Sequence, residues 1–439
     1  MYAKKNDMNT RVFKTNQAER FVETTLLNAL DHIDVEIEIT NQERQTILGY
    51  GGAFTDASAS LYAKLPEDVK KDFIDLYFGD DGLRYNLGRV TIGSCDFSVS
   101  MYDYGKKADL SDFSIEHDEK EIIPMILDAN NKRPLSLLAS CWSPLGRWKS
   151  NFRKDFGGKL RKKYYKSHAD YMARFVKEYR DRNIDITAIS IQNEPAAKQT
   201  WESCIYSAQE EGEMAKLLHK RLPDTHIYFW DHNRDAIVER VEGTLSVEGV
   251  KDAVYGVAYH WYDGDKNAEL AKVREVHPDL HILFTEGCVE LMLINPKDTK
   301  AAMGTFVNGA RYARNYLKDI NYGSEGFLDW NLLLDLKGGP NHVGNFCEAP
   351  IITDGSKLYP TYSYYFIKHI SAFIREGATV LANNNESDLI VASALNKDGS
   401  IASVILNEGE ARNVSVLIEN KPYIIHIEKN EIISLEVPK

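Results

Sequence analysis

Between about residue 46 and residue 374 the chain repeats one rhythm eight times, a short apolar run followed by a longer segment of helical period. The runs are "TILGYGGA" from Thr46, "NLGRVTIG" from Asn86, "LSLLASCW" from Leu135 and "ITAISIQNE" from Ile186. They continue with "HIYFWDHN" from His226, "VYGVAYHWY" from Val254, "HILFTEG" from His281 and "GFLDWNLLLD" from Gly326. Among the intervening segments, Tyr164, His168, Tyr171, Met172, Phe175 and Tyr179 recur at three-to-four spacing, the stripe of an amphipathic helix. Similar segments run from Ser58 to Tyr77, Glu119 to Asn130, Glu211 to Leu222, Phe306 to Ile320 and Thr361 to Ile374, with shorter ones near Ile237 and Ala268.

Strands this apolar cannot leave one face in water, so both faces must be covered. Eight of them alternating with helices predict an α/β fold, a closed parallel (β/α)₈ barrel. An open doubly wound sheet would announce itself with a Gly-rich phosphate turn after a strand. "GYGGAF" from Gly49 lacks that glycine spacing and leads into Thr55 and Asp56, where an acidic residue suits a sugar hydroxyl better than a pyrophosphate. Beyond Glu376 the texture changes to strands alone, such as "DLIVASALN", "SIASVILN" and "NVSVLIEN", with turns at Lys397-Asp398-Gly399 and Asn407-Glu408-Gly409. The amino-terminal "TRVFKT" and "VEIEIT" alternate in the same way. The division expected is a catalytic barrel over 46–374 and a β-sandwich built from 1–45 and 375–439.

Charge and composition narrow the function. A net charge of −12 disfavours a nucleic-acid partner and anionic membrane surfaces, both of which select a basic face. No apolar run approaches the roughly 20 residues that span a bilayer. The segment "MYAKKNDMNTRVFKTNQAERF" has no apolar core of a secretory signal, and the five cysteines are odd in number without CxxC spacing. These features predict reduced thiols and a cytoplasmic location, or secretion only if a leader has been removed.

In such a barrel the carboxyl ends of all eight strands face one rim, where chemistry sits. Asp56 follows the first strand, the second carries Arg89 and leads to Asp96, Trp142 ends the third and Glu194 the fourth. Asp231, His232 and Asn233 end the fifth, His260, Trp261 and Tyr262 the sixth, Glu286 the seventh, and Trp330 and Asn331 lie at the eighth. A lone glutamate before proline or glycine is an ordinary strand end. Glutamates at the ends of strands four and seven of eight are the pair that cleaves a glycosidic bond with retention when about 5–5.5 Å apart. Trp beside Asp, Asn and Arg matches a sugar, whose apolar ring face is edged by hydroxyls. His260 is assigned a binding role, and Arg89 is expected to keep rim carboxylates ionised. Asp231, His232 and Asn233 are consecutive and rarely converge on one ion, and no HxxxH or HxH partner is near, so no metal and no cofactor is expected. Cys288 has no activating histidine pattern, so a thiol nucleophile is not expected.

"GYGGAFTDA", "SCDFS", "LASCWSP", "SIQNEP", "YHWY", "FTEGC" and "LDWNLLLDLKGGPNHVGNF" together resemble glycoside hydrolase family 30, in particular its acid β-glucosidase (glucosylceramidase) branch. The likeness runs from roughly Gly49 to Thr379. It implies Glu194 as acid/base and Glu286 as nucleophile, Asn193 over the 2-hydroxyl, and Asp56, Arg89, Trp142, Tyr262, Trp330 and Asn345 around the first sugar. The expected activity is hydrolysis of terminal β-glucosyl residues of a β-linked glycoside by double displacement, with Glu286 ionised and Glu194 protonated at rest. The same scaffold admits a β-xylosidase, β-fucosidase or endo-β-1,6-glucanase. A non-catalytic sugar-binding protein and a metal-dependent barrel hydrolase are the readings from other classes. Loops such as "KSNFRKDFGGKLRKKYY" depart from the resemblance and bear on the aglycone.

Overall fold

The computed structural model describes residues 10–28, 30 and 32–439. Eight strands close a barrel in which every neighbouring pair is parallel. In chain order they are Gly49–Ala53, Leu87–Ile92, Ser136–Cys141, Ile186–Ser190, His226–Asn233, Gly256–His260, His281–Glu286 and Gly326–Asp329. Leu138, Ala188, Tyr228, Ala258, Leu283 and Leu328 fill the interior as one cluster, so the barrel is a packed core and not a pore.

The helices cover the outside as the periodicity predicts. Helix Tyr165–Arg180 buries His168, Tyr171, Met172, Phe175 and Tyr179, while Tyr164 falls in the preceding 3₁₀ turn. Helix Ala208–Arg221 starts on a capping box, Ser207 accepting from the Glu210 N–H and the Glu210 carboxylate accepting from the Ser207 N–H. The two shorter segments are helices Ile237–Leu245 and Ala268–Val276.

A second, sheet-rich unit is assembled from both ends of the chain. Arg11–Thr15 pairs with Glu431–Val437, and Val35–Thr46 runs between Thr379–Asn383 and Arg412–Ile418 before passing directly into the first barrel strand. Hydrogen bonds link nine strands into one continuous sheet, whose inner face curls around a core of residues such as Val12, Ile39, Val391, Val416, Ile425 and Leu435. Helix Tyr362–Ser371 ties the barrel to this unit. Its buried His369 bonds Thr15 Oγ1 at 2.9 Å and Ser434 Oγ at 2.8 Å, one partner from each terminal segment. Burial drives the His369 imidazole down to about 3, so it stays neutral and serves as a structural bond.

Candidate active site

The strands deliver their side chains to the rim through local distortions of the backbone. The fourth strand ends at Ser190, and Asn193 and Glu194 are fixed beyond it by N–H bonds to the carbonyls of Cys141 (2.8 Å) and Asp231 (2.9 Å). Glu194 has φ 47°, a left-handed conformation that costs a non-glycine residue energy and persists only where neighbours impose it. The fifth strand slips register between Trp230 and His232, where Trp230 (φ 72°) and Asp231 (φ 50°) are both left-handed. The seventh slips between Phe284 and Glu286. Bulges of this kind re-aim side chains next to functional sites.

At the centre lies Arg89, fully buried. It donates from Nη1 to Glu286 Oε2 (2.6 Å), from Nη2 to Asp231 Oδ2 (2.8 Å) and Asn193 Oδ1 (2.9 Å), and from Nε to Ser140 Oγ (3.1 Å). Its guanidinium also lies 4.7 Å from the ring of Trp142 and 5.6 Å from that of Trp330, two rings stacked at 5.2 Å. Asp231 is the counter-charge. It accepts from Arg89, from the hydroxyls of Ser140, Ser190 and Thr285, and faces His260 Nε2 at 3.0 Å. Burial would raise this carboxyl, but Arg89 and His260 hold it far below the ordinary range.

Glu286 receives a second hydrogen bond from the Tyr262 hydroxyl, 3.0 Å from Oε1. Glu194 Oε1 lies 3.5 Å from Nδ1 of both His232 and His260, and Gln199 Nε2 donates to its Oε2 at 3.3 Å. Burial alone would lower His260, yet the charges of Glu286 and Asp231 and its hydrogen bonds push it up to about 9, so the ring is an imidazolium at neutral pH. Burial would lift Glu194, but the two imidazoles outweigh it and hold its carboxyl low. Glu286 is raised by burial, which His260 and Arg89 only partly offset. The nearest ring nitrogen that can exchange a proton with Glu194 is therefore His260 Nδ1 or His232 Nδ1, each at 3.5 Å.

Both carboxylates open on one cavity of about 320 Å³, whose walls include Trp142, Asn193, Tyr262, Trp330 and Asn345 of the expected residues. Arg89 and His260 are not among the wall residues; Arg89 contacts Glu286 and Asp231, and His260 contacts Glu194 and Asp231. Asp56 is placed differently from the wall residues. Its carboxylate accepts from the Val99 N–H (2.8 Å) and meets His117 Nε2 (2.9 Å), away from the cavity wall. Asp96 faces the cavity instead, bonded by Asn345 Nδ2 at 3.1 Å and pushed up to about 8 by burial and then by the charge of Glu286. His232, Gln199 and Trp201 also line it, and the sequence reading gave them no role. Cys288 Sγ lies 3.5 Å from the Tyr262 hydroxyl but burial raises its thiol, which leaves it a poor nucleophile. Among the described residues no helix is long and apolar enough to cross a membrane.

Paired carboxylates gripped by arginine, tyrosine and histidine at the rim of an eight-stranded barrel are the equipment of a protein that cleaves glycosidic bonds. The barrel matches the glycosyl hydrolase family 30 TIM-barrel domain over residues 47–374, and the chain belongs to this family of glycoside hydrolases. It is 31% identical to the putative glucosylceramidase 3 of Caenorhabditis elegans over 89% of this chain and 79% of the relative. It is 30% identical to the lysosomal acid glucosylceramidase of Mus musculus, covering 83% and 75% of the two chains. An endo-1,6-beta-D-glucanase of Neurospora crassa is 25% identical over 86% of this chain and 82% of its own length. Among solved structures, SrfJ from Salmonella typhimurium superposes with a TM-score of 0.92 at 32% identity, covering 98% of this chain and 99% of that one.

Proposed function

We propose that the protein is a retaining β-glycosidase that removes terminal β-glucosyl residues by double displacement. Glu286 attacks the anomeric carbon as the bond to the leaving oxygen breaks, and Glu194 gives that oxygen its proton. Glu194 then takes a proton from water, whose oxygen attacks the same carbon and breaks the ester to Glu286. The sugar leaves with its β configuration retained. The observation that carries this reading is that Glu194 and Glu286 share one cavity while bonded to different partners, imidazoles for the first and a guanidinium with a phenol for the second. His260 Nδ1, 3.5 Å from Glu194 Oε1, is placed to exchange a proton with the acid as the leaving oxygen departs. Loss of the Glu286 charge on glycosylation weakens the hold of His260 on any proton and frees Glu194 to act as base.

A volume of about 320 Å³ is at the small end for ligand sites and suits one sugar ring, which favours exo action over the endo-β-1,6-glucanase reading. The relatives named glucosylceramidase agree with a glucosyl unit. Trp201, Met292 and Leu293 belong to the wall, and Leu293 is exposed, so an apolar aglycone fits the mouth. The test is turnover of aryl β-glucoside, xyloside, fucoside and galactoside by the wild type and by Glu286→Gln. One glycoside should be preferred, and its turnover should collapse in the variant. Full activity in Glu286→Gln would remove the two-carboxylate assignment, and inactivity of the wild type on every aryl glycoside would remove exo action.

A further inference from the structure

We propose that Glu194, His232 and His260 form a site for a divalent transition metal of the zinc and copper class, and that a metal seated there arrests the enzyme. The Nδ1 atoms of His232 and His260 are both buried without a hydrogen-bond partner, and each lies 3.5 Å from Glu194 Oε1. All three ligand atoms fall within 4.8 Å of one another. Ligands of a tetrahedral zinc ion, with bonds of about 2.0–2.1 Å, are spaced at about 3.3 Å, so the two 3.5 Å distances to Glu194 need little change and the two ring nitrogens, within 4.8 Å, would draw together. Glu194 Oε1 is the one group that both ring nitrogens face, and an ion seated among the three would take the place of the proton between them, displacing the one on His260.

The surroundings support a site and not a chance cluster. His260 Nε2 faces Asp231 Oδ1 at 3.0 Å, the carboxylate–histidine arrangement that orients metal-bound imidazoles and strengthens them as ligands. Asp231 is itself held by Arg89, Ser190 and Thr285. Glu194 and His232 reach the cavity, which leaves a further coordination position open to water. Two imidazoles and one carboxylate select zinc, copper, nickel or cobalt, whereas magnesium and calcium prefer oxygen ligands alone. The consequence follows from the oxygen involved. Glu194 Oε1 cannot bind a metal and carry the transferable proton together, so occupancy and turnover exclude each other. The inhibitory half of the proposal rests on Glu194 as acid/base; the binding half does not.

The test is cobalt(II) titration of the full chain followed by visible absorption, with zinc binding measured by calorimetry. The expected result is one ion per chain with the strong bands of a low-symmetry cobalt site. Binding should weaken at least tenfold in Glu194→Gln and in His232→Ala, with His232→Asn as the milder replacement and thermal melts reporting the fold. Cys288→Ser, which removes a thiol from the same cavity wall, should leave binding unchanged. Turnover of the aryl glycoside by the wild type should fall in step with occupancy and return with chelator. Binding that survives the Glu194 and His232 variants, or that is lost only in Cys288→Ser, overturns the site. Full occupancy with unimpaired turnover overturns the inhibition and, with it, the acid/base role of Glu194, while the metal site stands.

Discussion

Arg89 Nη1 lies 2.6 Å from Glu286 Oε2, both groups buried, and the same guanidinium serves Asp231 through its other nitrogen. One cation thus bonds two carboxylates that sit at the ends of different strands. Replacing it with Met keeps much of the volume but leaves Asp231 and Glu286 with His260 alone as counter-charge. Removing one partner of a buried ion pair costs about 3–5 kcal/mol, so Arg89→Met should lower the urea midpoint by that equivalent at unchanged slope. Arg89→Lys should recover part of this stability and little activity, since a single ammonium cannot reproduce bonds that diverge from three nitrogens. A stable, active Arg89→Met would show that the pair is incidental.

The pH dependence follows from His260. Its folded value of about 9 lies above the ordinary 6.5, because Glu286 and Asp231 overcome the burial that would lower it. Its contribution to stability is therefore complete below pH 6.5 and is lost as the pH rises through about 9. Turnover should follow the same limb, since this ring is placed to exchange a proton with Glu194. The kcat/KM profile of the wild type should fall above about 9. In His260→Gln that alkaline limb should vanish along with most of the rate, which a pH–rate profile on the preferred aryl glycoside would record.

Much of this site is legible in the chain because strand ends are legible. An apolar run closed by "QNEP" or "FTEG" places a carboxylate at the rim whatever the loops do. Trp142 and Trp330 follow from the same logic, and so does the assembly of one β unit from both termini, since alternation marks each strand separately. What the sequence hides is direction. Asp56 and Asp96 both follow barrel strands, and nothing in "TDAS" or "SCDFS" says which one turns to the cavity. The answer depends on Val99 and His117, which meet Asp56 only once the loop has folded. The consecutive Asp231, His232 and Asn233 are sent to different partners, Arg89, Glu194 and the Tyr262 N–H. The left-handed pair at Trp230 and Asp231 sends the Asp231 carboxylate to Arg89 and leaves His232 beside Glu194, and no local pattern announces that bulge.

Asp96 offers a test of how a neutral acid recognises sugar. Pushed up to about 8 by burial, it is protonated at neutral pH and can both donate and accept. Asp96→Asn preserves a donor and an acceptor at the same place and should raise KM less than tenfold. Asp96→Ala removes both and leaves Asn345 Nδ2 without its bond, with an expected loss in kcat/KM of about a hundredfold, the scale of two hydrogen bonds to a bound substrate. Equal kinetics in the two variants would mean that the side chain packs and does not bind.

Asp56 should act on the same step from a distance. By accepting from Val99 N–H and facing His117, it pins the far end of the segment after the second strand, the segment on which Asp96 is carried. Asp56→Ala removes two bonds from a buried carboxylate and should cost about 1–3 kcal/mol of stability. Its kinetic effect should appear in KM with kcat nearly unchanged, because Glu194 and Glu286 are held by Arg89 and the histidines and not by this segment. The two aspartates are then coupled through one loop, and their losses should not add. If Asp56→Ala raises KM in the wild-type background but changes it little in Asp96→Ala, the route through the loop is established. Additive losses would instead assign Asp56 a separate, purely structural part.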